Sequence, residues 1–204
     1  MAYRETARVR ERKDRTRTAL VEAATALVSA HGFSGVQVTM IAARAGVAAG
    51  TLYGYFPSKA GLFSEVFERA SARELDAFSA ARGTATSPPA QLAAMVATFA
   101  GRALANPGLA RALIAEPAEP SVERARCRFR RAYAARFEAV LRDGIGQGVF
   151  ARQDPSLSSL ALVGGIADAL VGSTAEVLED GGQSRAERVA EVTAFALRAV
   201  SNPG

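Results

Sequence analysis

Apolar residues recur at helical spacing along almost the whole chain, and no segment alternates apolar and polar residues as a strand does. The first helical segment runs from Asp14, a possible N-cap, to Ala30, with Gly32 as a left-handed stop. Thr39 is placed to cap a short second helix that ends at Gly46. This pattern predicts an all-α fold.

A third short helix is predicted from Ala49 to Phe56, because Pro57 pushes the residue before it out of the helical conformation. Ser58 then caps a long amphipathic helix, which ends before the loop GTATSPP. Five further helices are expected at about 89–105, 107–116, 120–147, 155–179 and 185–200. The predicted total is about nine helices.

The excess positive charge lies at the N-terminal end. Nine of the 25 basic residues and four of the 20 acidic residues are among the first 60, so this part carries the whole net charge of +5. A nucleic-acid backbone or an anionic membrane surface is the usual partner of such an end. The segment RETARVRERKDRTR, residues 4–17, is interpreted as a partly disordered arm that reaches phosphate or a minor groove. The alternative is a solvated, charged start to the first helix.

Composition excludes several classes of function. One cysteine, Cys127, and one histidine, His31, leave too few ligands for a clustered metal site, so no metal and no cofactor are expected. The sequence has neither a GxSxG elbow nor a Walker loop, and we expect no enzyme activity. It also has no apolar run long enough for a membrane span and no signal-peptide core, which favours a cytoplasmic protein.

Two short helices joined by a glycine turn, beside a basic segment, are typical of a DNA-binding helix-turn-helix. The stretch GFSGVQVTMIAARAGVAAGTLYGYFPSKAGLF, from Gly32 to Phe63, closely resembles the DNA-binding domain of the tetracycline-repressor (TetR) family of bacterial transcriptional regulators. The resemblance implies an N-terminal arm and helix-turn-helix domain over residues 1–57, and a helical ligand-binding and dimerisation domain over 58–204. It implies a ligand-released repressor that binds a palindromic operator as a homodimer.

The resemblance also implies which residues contact DNA. Thr39 matches a phosphate contact, because a helix N-terminus offers free N–H groups there. Thr51 is expected near the bases, and the ring of Tyr53 has core packing as its alternative. The full expected set is Thr39, Ala49, Thr51, Tyr53, Tyr55 and Lys59, with Arg4, Arg8, Arg10, Arg12 and Lys13 in the basic segment.

Two alanines depart from the family pattern at the start of the recognition helix. Ala48 stands where a capping serine is common, and Ala49 replaces a long polar residue. Ala49 can offer a base only its methyl group. Direct contacts to bases are therefore expected to be few, and selection to depend partly on DNA shape.

One face of the 120–147 helix indicates the effector site. This face is apolar and flanked by Arg126, Arg130 and Arg136, which suits an apolar or an amphipathic, anionic small molecule. The alternative is that these arginines pair with acids of neighbouring helices. The expected lining is Phe78, Met95, Phe99, Leu113, Arg126, Phe129, Arg130, Tyr133 and Phe137.

The last two helices resemble the paired helices of the family's dimer interface. Their small residues permit close approach, and Asp168 interrupts an apolar face. The expected interface is Ala161, Gly164, Gly165, Asp168, Gly172, Val189, Val192 and Ala196, with packing inside one chain as the alternative. The competing function is a helical membrane-surface or interaction protein that uses the basic tail without reading DNA.

Overall fold

The computed structural model describes residues 7–171 and 184–202. Within these residues the chain forms nine helices and no strand, which confirms the predicted all-α fold. The first four helices are α1 (Ala7–His31), α2 (Val38–Ala45), α3 (Ala49–Tyr53) and α4 (Lys59–Arg82). The other five are α5 (Pro88–Ala105), α6 (Pro107–Ile114), α7 (Pro120–Gly146), α8 (Pro155–Val171) and α9 (Arg185–Val200). In this part of the chain no helix is long and apolar enough to cross a membrane.

Helix α1 begins at Ala7 and not at the predicted N-cap Asp14, so the prediction of a partly disordered arm is wrong for residues 7–17. Residues 7–13 contain neither glycine nor proline and are mostly good helix formers. Arg15 also pairs with Glu11 one turn earlier, at 3.4 Å. Residues 7–17 of the basic segment thus form the charged start of α1, as in the alternative interpretation.

Helix α2 begins at Val38, and its N-cap is Gln37 instead of the predicted Thr39. The carbonyl of Gln37 accepts hydrogen bonds from the backbone N–H groups of Met40 and Ile41, at 3.1 and 3.2 Å. The helix therefore starts one residue before the position at which a threonine side chain would be able to cap it. The prediction was wrong because it relied on the preference for polar capping side chains. Here the backbone carbonyl of Gln37 accepts the first hydrogen bonds of the helix without a side-chain cap.

The later helices follow the predicted bounds to within two residues where the structure describes them. Asn106 separates α5 from α6, and its side chain caps α6 by accepting from the N–H of Leu109 at 3.3 Å. Ser184 and Glu187 form a reciprocal capping box at the start of α9. The predicted end of the 155–179 helix and the break at residues 181–182 lie outside the described residues.

Buried side chains form two cores. The first core lies among α1, α2, α3 and the N-terminal half of α4, and it also takes residues from α6 and the start of α7. The second core lies among the C-terminal half of α4, α5, α7, α8 and α9. Helix α4 contributes to both, so it connects the part that contains α2 and α3 with the rest of the protein.

The N-terminal end of α6 is held against the last turns of α1. The Oδ1 atom of Asn106 accepts a hydrogen bond from the hydroxyl of Ser29 at 2.7 Å. Gly108 then passes so close to α1 that a Cβ atom at this position would lie 2.0 Å from the carbonyl oxygen of Ser29. Only a glycine permits this approach without a shift of one helix.

The other end of α6 is held by Glu116, two residues after the helix. Its carboxylate accepts hydrogen bonds from the backbone N–H groups of Phe33 and Ser34, at 2.9 and 3.0 Å, and from the hydroxyl of Ser34 at 3.0 Å. These residues begin the loop between α1 and α2. Helix α6 is therefore attached at both ends to the part of the protein that precedes the helix-turn-helix.

We predict that Gly108→Ala lowers the free energy of unfolding by about 1–3 kcal/mol, because the added methyl group must push α6 away from α1. Gly101→Ala is the matched control, since Gly101 lies inside α5 and nothing lies within 4 Å of its added Cβ atom. That control should raise the free energy of unfolding by about 0.5–1 kcal/mol. Urea unfolding followed by circular dichroism measures both. Stabilisation by both substitutions would contradict the tight contact of α6 with α1.

Candidate nucleic-acid interface and adjoining cavity

Gly46 makes the turn between α2 and α3. Its φ of 69° lies in the left-handed region, which strains residues that carry a Cβ atom. The N–H of Gly46 donates to the carbonyls of Ala42 and Ala43. The N–H of Val47 donates to the carbonyl of Ala42 at 3.0 Å. These bonds end α2 sharply and place α3 beside it, which is the geometry of a helix-turn-helix.

Leu52 and Phe56 hold α3 against the first core, in which they are 0% and 1% exposed. Helix α3 ends at Tyr53, three residues before the predicted Phe56. The reason is that the N–H groups of Tyr55 and Phe56 both turn back to the carbonyl of Leu52, at 3.0 Å each. The last part of the predicted helix is thus a tight turn that directs Phe56 inward.

The outer face of α3 carries no charge. It presents Ala49, Gly50 and Thr51, which are exposed, and Tyr53, whose residue is 56% exposed. The ring of Tyr53 therefore lies outside the core. Three of the residues predicted to contact DNA share this face, on the helix that enters the major groove in helix-turn-helix proteins.

Thr39 is the second residue of α2, and its side chain is exposed. The first N–H groups of a helix have no partner within it, and the side chain of Gln37 does not cap them. This end of α2 therefore offers N–H groups of partial positive charge next to a hydroxyl. Such an arrangement suits a phosphate group.

Tyr55 and Lys59 are less open than the residues of α3. Tyr55 is half-buried and packs on the first core. Lys59, the first residue of α4, is also half-buried, and its Nζ atom lies 5.0 Å from the centroid of the Phe63 ring. Each leaves part of its side chain at the surface, so their contacts with DNA stay predictions.

The first turns of α1 carry exposed basic side chains. Those named in the sequence analysis are Arg8, Arg10, Arg12 and Lys13; the fifth, Arg4, lies outside the described residues. Arg17 has a different role. Its guanidinium binds Glu65 of α4 at 2.7 Å and lies 4.6 Å from the centroid of the Phe56 ring. Arg17 thus fixes α1 to α4 and to the anchor of α3.

A cavity of about 270 Å³ lies among α4, α5, α6, α7 and α8. Six of the nine residues predicted to bind a ligand line it, namely Phe99, Leu113, Arg126, Phe129, Arg130 and Tyr133. The other three do not. Met95 is fully buried in the second core, and Phe78 and Phe137 lie beside a small adjoining void. Helical spacing identifies inward positions, but it does not tell which of them meet empty space.

Helix α4 contributes a wall of the cavity that was not predicted from the sequence. Phe67, Ser71 and Glu74 lie one turn apart on this helix and all face the cavity. Arg102 and Asn106, at the end of α5, complete the polar part of the lining. The sequence gives little sign of these polar lining residues, because a single polar residue on an amphipathic helix usually belongs to the solvated face.

Arg126 lines the cavity, but its guanidinium binds other groups of the protein. Its guanidinium donates to the carbonyls of Leu113 and Glu116, at 2.9 and 2.6 Å, and to that of Ala112 at 3.2 Å. It also pairs with Glu123 at 2.5 Å. The alternative expected an acid of a neighbouring helix, whereas Arg126 pairs with an acid of its own helix and with three backbone carbonyls. These bonds hold the carbonyl end of α6 to α7.

The two other arginines of that group differ from each other. Arg136 donates to the hydroxyl of Ser79 and to the carbonyl of Ala132, so it does not face the cavity as a free charge. Arg130 lines the cavity mouth, is exposed, and makes no hydrogen bond or ion pair with the described part of the chain. The predicted ring of arginines around the cavity is therefore reduced to one.

Glu74 and Arg102 form a two-pronged ion pair on the cavity wall. Nε and one terminal nitrogen of Arg102 donate to the two carboxylate oxygens, at 2.5 and 2.8 Å. Nearby, Tyr133 packs edge-on against Phe78 and Phe99, with centroids 4.8 and 5.5 Å apart. Burial raises the pKa of the Tyr133 hydroxyl well above its ordinary value, and the charge of Glu74 adds to the effect. The hydroxyl therefore keeps its proton at neutral pH.

Helices α8 and α9 expose large apolar side chains, namely Leu157, Leu160 and Phe195. Of the predicted dimer residues, those at least partly exposed are Ala161, Gly164, Gly165, Asp168, Val189 and Val192. Ala196 is fully buried in the second core, so it packs inside its own chain. Gly172 lies outside the described residues.

Comparison with known families agrees with this geometry. Residues 20–66 match the family model of bacterial regulatory proteins, tetR family. Residues 85–200 match that of the tetracyclin repressor-like C-terminal domain. The chain therefore belongs to the TetR family of DNA-binding transcriptional regulators. No curated protein matches the sequence.

Solved structures show the same fold at low sequence identity. The fatty acid degradation regulator FadR from Bacillus halodurans matches with a TM-score of 0.74 and 22% identity, over 89% of this chain and 94% of that one. FadR from Bacillus subtilis, in complex with stearoyl-CoA, matches with a TM-score of 0.74 and 19% identity, over 89% and 98%. A tetR family protein from Rhodococcus RHA1 matches with a TM-score of 0.75 and 20% identity, over 93% and 98%.

We predict that Ala48→Ser raises the free energy of unfolding by about 1 kcal/mol. Ala48 is the N-cap of α3, with φ −68° and ψ 146°, and it makes no side-chain bond to the first turn. A serine oxygen can accept such a bond. Ser58→Ala is the matched control of opposite sign, because Ser58 caps α4 by accepting from the N–H of Gly61 at 3.0 Å. Urea unfolding measures both, and a destabilised Ala48→Ser protein would show that the alanine cap is not a weak point of α3.

Proposed function

We propose that this TetR-family regulator is a repressor that binds a palindromic operator as a homodimer in the cytoplasm, and that a small molecule in the cavity releases it. The observation that carries the proposal is the position of α6. Leu109 and Leu113 of this helix line the cavity. Asn106 and Glu116, which flank it, hold α1 and the loop that follows α1. A ligand that displaces α6 therefore acts on the DNA-binding part directly.

Release by a ligand follows from the geometry that DNA requires. Two α3 helices must lie about 34–36 Å apart to enter successive major grooves. A molecule that binds better to a dimer with another spacing lowers DNA affinity, and DNA lowers its affinity by the same factor. Arg126 supports this coupling, because it lines the cavity and also binds the carbonyl of Glu116.

The dimer is proposed to form through α8 and α9. Leu157, Leu160 and Phe195 give this surface an exposed apolar character. Ala161 and Gly165, also exposed, allow the helices of a second copy to approach closely. A two-fold contact would cover the same patch on both copies.

DNA contacts are divided between charged and neutral groups. We assign phosphate contacts to Arg8, Arg10, Arg12 and Lys13 of α1, to Thr39 at the start of α2, and to Tyr55 and Lys59. We assign base contacts to Thr51, to Tyr53 and to the methyl group of Ala49, which can pack on a thymine methyl. Because α3 offers few polar atoms, DNA shape supplies part of the sequence selectivity.

The competing membrane-surface function finds no support on α1. In the described part of the chain the large apolar residues that are exposed are Tyr53, Val149, Leu157, Leu160 and Phe195, and α1 carries none of them. A helix that lies on a membrane needs an exposed apolar face beside its basic one. The basic residues of α1 are therefore better matched to a nucleic-acid backbone.

Selection of bound DNA from a random pool, at stated salt, tests the proposed function. We expect an enriched palindrome whose half-site centres are about one helical turn, or a multiple of it, apart. Enrichment of DNA without two-fold symmetry would contradict binding as a dimer. Absence of any enriched sequence would contradict the function itself.

On the selected operator, Thr51→Ala should weaken binding by about 1–3 kcal/mol and relax preference at one position of each half-site. Thr86→Ala is the control, because Thr86 is an exposed threonine in the loop between α4 and α5. Fluorescence anisotropy with labelled operator measures both. Equal affinities of the two variants would remove Thr51 from the interface.

The double substitution Arg8→Ala, Arg12→Ala should reduce the magnitude of the slope of log K against log salt by about 0.9 for each phosphate that the variant no longer neutralises. Arg152→Ala controls for the removal of positive charge, because Arg152 is exposed in the loop between α7 and α8. We expect its slope to equal that of the unmodified protein. A double variant with an unchanged slope would place the start of α1 away from DNA.

A further inference from the structure

Ser71 is a buried hydroxyl in the cavity wall that the rest of the protein does not satisfy. It is 5% exposed and lines the cavity from α4. Several hydroxyls inside helices donate to the carbonyl one turn earlier, among them Thr25, Ser79 and Thr193 at 2.6–2.7 Å. Ser71 makes no such bond with any described residue. A buried hydroxyl without a partner costs free energy, so this one is available to a group that enters the cavity.

The hydroxyl of Tyr133 is a second donor of this kind. Tyr133 lines the cavity from α7, with its ring fixed edge-on by Phe78 and Phe99. Its hydroxyl has no hydrogen bond with the described part of the protein. Burial raises its pKa, so the group stays protonated and can donate. Two neutral donors on different helices therefore face the same space.

The charged groups of the lining are not available to a ligand inside the cavity. Arg102 and Glu74 neutralise each other in their two-pronged pair. The guanidinium of Arg126 is used by three carbonyls and by Glu123. Arg130, without a partner in the described residues, is exposed at the mouth. An ionised group inside would lose its hydration and find no free opposite charge.

The size and the remaining lining limit the occupant further. A volume of about 270 Å³ lies just below the range of about 300–1,000 Å³ that drug-sized ligands occupy. Aromatic and aliphatic side chains, among them Phe67, Phe99 and Phe129, form most of the wall. The occupant is therefore compact and mostly apolar.

We propose that the cavity selects a compact, uncharged, largely apolar molecule with a carbonyl oxygen, and that the hydroxyls of Ser71 and Tyr133 donate hydrogen bonds to that oxygen. The inference rests on the proposed function only in taking this molecule to be the effector that releases DNA. The hydroxyls discriminate strongly against a molecule without the oxygen, because they stay unpaired when it binds.

Three test ligands of nearly the same shape separate the possibilities. Acetophenone has a neutral carbonyl, α-methylstyrene has a CH₂ group in place of its oxygen, and benzoate has a carboxylate. Titration calorimetry on the full-length protein without DNA should give the highest affinity for acetophenone. Tighter binding of benzoate would overturn the proposal, and so would equal binding of α-methylstyrene or no binding of acetophenone up to its solubility.

The variants Ser71→Ala and Tyr133→Phe remove one hydroxyl each and keep the packing. Each should weaken acetophenone binding about 2- to 10-fold, as expected for one hydrogen bond, and leave α-methylstyrene binding unchanged. Ser64→Ala is the matched control, because Ser64 lies on the same helix α4 and does not line the cavity. Equal weakening of both ligands in Ser71→Ala and Tyr133→Phe would mean a packing role and overturn the proposal.

A spectroscopic readout separates hydrogen bonding from packing. The ¹³C resonance of a labelled acetophenone carbonyl moves downfield when its oxygen accepts a hydrogen bond. The shift on binding should be smaller in the two cavity variants than in Ser64→Ala. An equal shift in all proteins would overturn the assigned donors.

These measurements need no DNA, so they can fail while the proposed function stands. If acetophenone binds as expected but does not release the operator, the cavity chemistry is supported and the ligand-released repressor is contradicted.

Discussion

Glu116 is the residue that joins the wall of the cavity to the loop before α2, because its two polar groups bind different parts of the chain. Its carboxylate holds Phe33 and Ser34, at the entrance to the helix-turn-helix. Its backbone carbonyl accepts from Arg126, which reaches it from the cavity wall. Charge-assisted bonds of this kind are directional, so they keep one preferred geometry. These bonds therefore connect the cavity wall directly to the loop before α2.

The same division of roles occurs at both binding surfaces. Charged groups hold the structure in place, as Arg17 does between α1 and α4, and as Arg102 does beside the cavity. Neutral groups face the proposed partners, with Thr51 and Tyr53 exposed on α3 and with Ser71 and Tyr133 lining the cavity. In the proposed complex, long-range attraction to DNA comes from a third place, the exposed basic start of α1. The proposed function thus assigns affinity and selectivity to different residues.

Much of the fold was accessible from the sequence, because helical periodicity, Gly46 and the proline breaks are local signals. The errors also have local causes. Asp14 and Thr39 are good capping residues, but α1 continues through one and α2 begins before the other. Capping preference is worth about 1 kcal/mol, which a run of helix-forming residues or a nearby backbone bond can outweigh.

The cavity was only partly predictable, for a different reason. Aromatic residues of α7 stood out by spacing, whereas the role of Ser71 depends on which helices pack against α4. Arg126 and Arg130 look alike in the sequence, and only the nearby carbonyls of α6 distinguish a structural arginine from an exposed one. Whether a polar residue is satisfied is a property of the tertiary structure, so no local pattern reports it.

The sparse surface of α3 has a consequence for how regulators of this kind change their targets. A side chain added at Gly50 would meet nothing within 4 Å, and Ala49 beside it is exposed. The anchors Leu52 and Phe56 face the other way and hold α3 without help from these positions. Longer side chains can therefore be introduced here without repacking the core. The scaffold can diverge, or be engineered, toward new operators by mutations that carry almost no folding cost.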